Sequence, residues 1–174
     1  MRIAIAAALA ALLLTGCWQR EVGRSYYASG KLKSEATVKN NVVDGHAVAY
    51  FEDGRKESEA NYKAGILDGP AVSYYSNGQK KSEARYASGK LDGQAVMYYE
   101  SGRKMSEAGY SAGNLHGPAF AYYENGAKKS EAFFKNGVLD GTSSSWNEAG
   151  IVQNTARFRD GRLAAGGDET PSSK

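Results

Sequence analysis

Polar and apolar residues alternate in short runs along most of the chain, and each run is broken by glycine. In residues 81–86, Ser82, Ala84 and Tyr86 point to one side of an extended backbone, while Lys81, Glu83 and Arg85 point to the other. The pattern returns every 24 residues. Five full copies begin at Tyr26, Tyr50, Tyr74, Tyr98 and Tyr122, and a shortened sixth begins at Trp146, with no insertion as far as Ala165. Counting each copy from its first aromatic residue, the fifth place is always glycine: Gly30, Gly54, Gly78, Gly102, Gly126 and Gly150. The sixteenth place is Asn41 and then glycine, and the twentieth is glycine until Ala165.

Glycine at fixed offsets marks backbone that must take a positive φ. Asp or Asn often precedes it, as in Asp53-Gly54, Asn77-Gly78, Asp44-Gly45 and Asp68-Gly69, and such pairs are strong hairpin-turn signals. Two turns per repeat leave room for two strands of about eight residues, so the expected fold is all-β. It is an elongated antiparallel meander of ten to twelve strands, built from six β-hairpin repeats: 26–49, 50–73, 74–97, 98–121, 122–145 and 146–165.

Two columns run through the strands. Alanine fills the eleventh place in all six copies (Ala36, Ala60, Ala84, Ala108, Ala132, Ala156), and the thirteenth reads Val38, Tyr62, Tyr86, Tyr110, Phe134, Phe158. Small residues beside rings leave floor space for aromatic side chains of neighbouring strands. The glutamate of the tenth place recurs on the wet face, where a lysine two residues earlier offsets its charge. A glutamate in five equivalent places is structural rather than catalytic.

The first residues break the pattern. Arg2 is followed by an apolar run, Ile3 to Leu14, too short for the about 20 residues of a membrane-spanning helix. It reads as an export signal over residues 1–16. Its end, Leu14-Thr15-Gly16-Cys17, resembles the bacterial lipobox, which implies cleavage before Cys17 and lipidation of that cysteine. Acyl chains would hold the protein to a membrane at roughly 0.8 kcal/mol per buried methylene. The expected location is the cell envelope, lipid-anchored; Trp18 in place of an aspartate after the cysteine favours the outer membrane, on its periplasmic or surface face, in a Gram-negative cell. Residues 17–25 then read as a lipidated linker and 166–174 as a disordered tail. Cys17 is the only cysteine, so no disulfide forms within the chain.

The copy at residues 122–141, with its aromatic pair, Asn-Gly, Lys-Ser-Glu and Leu-Asp-Gly, resembles the variant MORN repeat of bacterial YwqK-like proteins, described as antitoxins of toxin–antitoxin systems. That resemblance implies a twisted β-ribbon used for protein contacts and sometimes for membrane surfaces, with a toxin or an envelope protein as partner.

Little else points to chemistry. Removing Arg2 with the signal lowers the net charge of +3 by one, and no basic run suggests nucleic acid. His46 and His116 fall in different places three repeats apart, about 29 Å along a straight meander, so one metal ion could not join them. No nucleophile elbow, phosphate-binding loop or cofactor motif is present, and the expected role is non-catalytic. The best lead is the aromatic doublet. Adjacent strand residues face opposite ways. Because the sixth copy keeps Trp146 but has Asn147 next, the first ring is assigned to the packed face. The second column, Tyr27, Phe51, Tyr75, Tyr99 and Tyr123, becomes a partly exposed stripe. It either packs under lysine stems or forms a recognition surface for a protein, with sugar stacking as a weaker option. The lysine column Lys56, Lys80, Lys104 and Lys128 reads as a solvated edge or a contact for anionic headgroups.

Overall fold

The computed structural model describes residues 20–164. The export signal, Cys17 and the expected tail lie outside the described residues. Within them the chain is all β, in two compact units that divide after Lys90. The first holds β1 (Glu21–Tyr26), β2 (Leu32–Lys39), β3 (Val42–Tyr50), β4 (Lys56–Lys63), β5 (Ile66–Tyr74) and β6 (Lys80–Ala87). The second holds β7 (Lys90–Tyr98) from its second residue on, β8 (Lys104–Ser111), β9 (Asn114–Tyr122), β10 (Lys128–Lys135), β11 (Val138–Trp146), β12 (Val152–Arg159) and β13 (Arg162–Leu163). In each unit every strand pairs antiparallel with its chain neighbour.

Strand formation starts earlier than expected. Glu21 to Ser25 fall in the stretch read as linker, yet they pair with β2, from Glu21 opposite Val38 to Ser25 opposite Ser34. They occupy places 20 to 24 of the 24-residue unit, counted back from Tyr26.

The two turns of each repeat differ in construction. At the first, the Gly30 N–H donates to the Tyr27 carbonyl at 2.9 Å and the Tyr27 N–H to the Lys31 carbonyl at 2.9 Å. Gly30 has φ +81°, which completes the three-residue loop in which a left-handed glycine follows a tight turn. The second turn has only two residues, both left-handed: Asn40-Asn41, Ala64-Gly65, Ser88-Gly89, Ala112-Gly113, Asn136-Gly137 and Asp160-Gly161. Alanine and serine are poor choices there, because the left-handed region brings Cβ against the following carbonyl.

The Asp-Gly pairs of places 19 and 20 are not turns. Gly45 and Gly141 lie inside β3 and β11, with φ +135° and +134°, where the ladder shifts register. A Cβ on Gly141 would stand 2.8 Å from the Cβ of Phe133, and one on Gly45 would stand 2.9 Å from that of Thr37. The glycine is fixed by a bulge and by a neighbouring side chain at place 12. That is why the strands outnumber the ten to twelve expected only by the extra β1.

Burial is thin. In the first unit Ser34, Ala36, Val38, Ala47, Ser58, Ala60, Ala71, Ser82 and Tyr86 are buried, all on the small-and-aromatic face, with Val48 buried opposite. No large side chain among the described residues is fully buried.

Replacing Ala112 by Asn, which copies the Asn136-Gly137 turn, should relieve the left-handed alanine and stabilise by about 1 kcal/mol. Thermal unfolding followed by circular dichroism should show a rise of roughly 2–4 °C. Gly141→Ala should shift the transition the other way, by about 2 kcal/mol, because it meets both a positive φ and Phe133.

Candidate functional site

The tenth-place glutamates Glu35, Glu59 and Glu107 each become a junction between repeats. Glu59 accepts from Lys56 Nζ at 2.8 Å through Oε2, and from Tyr74 Oη at 2.5 Å through Oε1. Glu107 accepts from Lys104 at 2.7 Å and from Tyr122 at 2.6 Å. Lys80 pairs with Glu83 and Lys128 with Glu131, both at 2.7 Å. At the start of the series Leu32 occupies the lysine place. Arg24 of β1 takes over, with Nε 3.3 Å from Glu35 Oε2, while Tyr50 donates to Oε1 at 2.9 Å.

The pairing lysine is thus three residues before the glutamate, not two. In the β5–β6 ladder Tyr74 is opposite Lys80 while Ser73 is opposite Ser82, so Lys81 is the extra residue of a bulge. The bulge turns Lys80 toward Glu83 and leaves Lys81 Nζ 5.5 Å from the Tyr75 ring centroid. Lys33 over Tyr27 and Lys129 over Tyr123 repeat that second contact, each at 5.4 Å.

The two rings of the doublet engage different neighbours. Along β3, Ala47 and Ala49 lie opposite Ala60 and Ser58, so by alternation Tyr50 shares the face of Val48 and Glu59. The first ring, expected on the packed face, therefore belongs to the glutamate face, where the carboxylate is the better partner for its hydroxyl. The second-column hydroxyls reach forward to backbone: Tyr27 to the Tyr50 carbonyl (2.6 Å), Tyr99 to Tyr122 (2.8 Å) and Tyr123 to Trp146 (3.0 Å). Exposure does not separate the columns: Tyr50, Tyr74, Tyr98 and Tyr122 are half-buried, and so are Tyr27, Phe51, Tyr75, Tyr99 and Tyr123. The glycines Gly30, Gly54, Gly78, Gly102, Gly126 and Gly150 all have φ between +78° and +93° and set the tips beside this second column.

The electrostatics follow from these contacts. Hydrogen bonds from Lys56 and then Tyr74 hold the Glu59 carboxyl below its usual range, and Lys104 and Tyr122 do the same for Glu107. Burial, and then the bond to the carboxylate, pushes Tyr74 and Tyr122 up to about 12. Exposed ion pairs contribute little, about 0–1 kcal/mol each, so the ladder matters more for geometry than for strength.

His46 Nε2 lies 3.7 Å from Glu59 Oε2 at a shallow pocket of about 150 Å³ with Asn61 and Pro70; His116 is exposed. Among the described residues no three His, Cys, Asp or Glu side chains are grouped to hold a metal, and no helix is long and apolar enough to cross a membrane. The lysine column does not stand apart as an open basic edge, because each member is paired with a glutamate. Sequence reasoning overlooked the ladder, although a signal existed. Lysine and glutamate vanish together in the sixth copy, as Val152 and Thr155.

The structure is that of a hairpin-repeat protein. The family model described as "MORN repeat variant" matches residues 22–40, 43–64, 67–90 and 115–136, together half of the chain. The chain belongs to that family. The matched units run from one two-residue turn to the next, so that β1 begins the first of them. β8 and all of β7 after Lys90 lie outside the matched stretches yet keep the register of β3 and β4, with Ala95 opposite Ala108 as Ala47 is opposite Ala60. No curated protein matches the sequence.

The raised tyrosines supply a pH test. A tyrosine whose folded pKa exceeds its unfolded value near 10 adds stability that is intact below about pH 10 and lost as the pH climbs through about 12. Absorbance at 295 nm should show Tyr74 and Tyr122 ionising near pH 12, and Tyr74→Phe with Tyr122→Phe should remove that late component. Glu59 and Glu107 act at the acid end. Their stabilisation is present above the unfolded value of about 4.3 and is lost as the pH falls through their lowered pKa.

Proposed function

We propose that the chain is a non-catalytic binding scaffold of the cell envelope, lipidated at Cys17 and exposing its second aromatic column to a protein partner, in an antitoxin- or immunity-like role. One observation carries the reading. The column Tyr27, Phe51, Tyr75, Tyr99, Tyr123 presents half-buried rings at a constant interval, and the hydroxyls of Tyr27, Tyr99 and Tyr123 are tied to the backbone of the next repeat. Rings fixed in advance lose little freedom on binding, and large rings with a polar tip dominate interface energetics. Three of them also carry a lysine stem on one side, which leaves the other side as the contact surface. The Lys–Glu pairing works against a headgroup-binding role for the lysine column, since each ammonium already has its anion.

The test is affinity capture from envelope extract, using unlipidated residues 18–174 as bait, beside the same bait carrying Tyr75→Ala, Tyr99→Ala and Tyr123→Ala. A partner retained by the first and lost by the second, with both baits giving the same β-type circular dichroism, is the expected result. Equal recovery from the two would remove the column from the proposal. Labelling with palmitate in the native host, abolished by Cys17→Ser, checks the anchor separately.

A further inference from the structure

The two ends of the described fold hold complementary pieces of one strand. In the interior, the strand that closes a repeat runs from place 17 through place 24 to the first place of the next copy, as Val138–Trp146 does. At the far end, Arg162 and Leu163 form β13 opposite Arg159 and Phe158, and Ala164 N–H donates to the Arg157 carbonyl at 2.8 Å. These residues are places 17 to 19. At the near end, β1 begins at place 20 and runs to Tyr26. No place is used twice and none in the strand is missing.

Both pieces have an edge with no partner among the described residues. In the interior, Ser143, Ser144 and Ser145 pair back onto Ala132, Glu131 and Ser130. The equivalents at the ends are Gly23, Arg24 and Ser25 on β1, and Ala156, Thr155 and Asn154 on β12. We propose that β1 of a second copy adds to the outer edge of β12, with Gly23, Arg24 and Ser25 opposite Ala156, Thr155 and Asn154. Copies of the chain then join head to tail in the register of the repeat.

Side chains fit this register. Place 22 is Ala or Ser throughout the interior, and place 24 is Ala or Ser in every interior copy but the third, which has Met97; Gly23 and Ser25 are of the same small kind. Tyr26 is 59 % exposed, whereas the other first-place rings are half-buried. The repeat that would cover it is the one a second copy supplies. Interior geometry also brings place 20 against place 12, since a Cβ on Gly45 would meet Thr37 and one on Gly141 would meet Phe133. At the junction those places are Glu21 and Arg157, opposite charges that are both exposed in the single chain. Two chain pieces share the strand there, so Glu21 needs no bulge and its side chain has room. Such a contact is heterologous, each copy keeping one free end of each kind, so copies add in series rather than forming one isologous dimer.

Sedimentation equilibrium of the full 174-residue chain in detergent over a concentration series tests this. The weight-average mass should climb past two copies. Glu21→Arg and Arg157→Glu should each raise the dissociation constant about fivefold, as like charges now meet across the strands, and the double reversal should restore it. Circular dichroism controls for folding. A monomer at all concentrations, a mass that stops at two copies, or single reversals that associate like the parent would each overturn the proposal. So would association seen only after removal of residues 165–174, which would give the edge to the chain's own C-terminal segment. None of these outcomes depends on the aromatic column or on any partner.

Discussion

Left-handed backbone at a constant interval is the constraint from which the rest follows. Each repeat has two consecutive left-handed residues at its second turn, a left-handed glycine at its first, and another inside the closing strand. A two-residue turn of this kind matches the twist of the strands it joins and fixes their register to the residue. Register in turn decides chemistry, because a one-residue slip would carry every side chain to the other face. Glu59 meets Tyr74 only because the turns and the bulge hold places 7, 10 and 1 in line. The turn tolerates Ala64, Ser88 and Ala112 where glycine or asparagine is better, so the ladder is strong enough to hold three strained residues.

The fold compensates for having no thick core. Among the described residues the buried side chains are serine, alanine, valine and one tyrosine, the last 8 % exposed. Apolar burial at about 25 cal/mol per Å² gives little from alanine, so backbone pairing and contacts between adjacent repeats carry the balance. Two such contacts recur. A tyrosine hydroxyl reaches back to the preceding glutamate, and a second tyrosine reaches forward to the following carbonyl. Where both occur, a repeat is tied to its neighbours on either side through hydroxyls as well as through the backbone ladder.

Fold class and period were legible in the sequence because both depend on places where few residues are allowed. Gly30 and its equivalents, and the invariant alanine column, needed no structure to be read. What escaped was everything that depended on a bulge. Asp44-Gly45 has the composition of a turn, yet its glycine serves a strand in which Thr37 occupies the space of a Cβ. The same kind of irregularity moved the ion pair from Lys81 to Lys80 and the first ring onto the glutamate face. Alternation is a rule about regular strands, and two register shifts per repeat reset its phase. The aromatic doublet was found from sequence, but the partners of its hydroxyls were not. One is a carboxylate fifteen residues back and the other a carbonyl twenty-three residues ahead.

Perturbed titration is often a pointer to catalysis, because active sites shift the groups they use. Here the same shift falls on Tyr74 and on Tyr122, and its mirror on Glu59 and on Glu107, at equivalent places two repeats apart. These perturbed groups recur with the same hydrogen bonds, each tyrosine hydroxyl donating to the glutamate of the preceding repeat. Distinctness in this chain lies where the repetition stops. Arg24 substitutes for a missing lysine, Thr155 for a glutamate and Asn147 for a ring, and Lys128 lies 5.4 Å over Trp146, where a tyrosine stands in the earlier copies. Interior repeats share their Lys–Glu pairs but differ beside the second ring, where Glu57 and Met105 stand in the place of Lys33, Lys81 and Lys129 and Phe51 has no hydroxyl, so the array is regular in what holds it together and varied in what it presents.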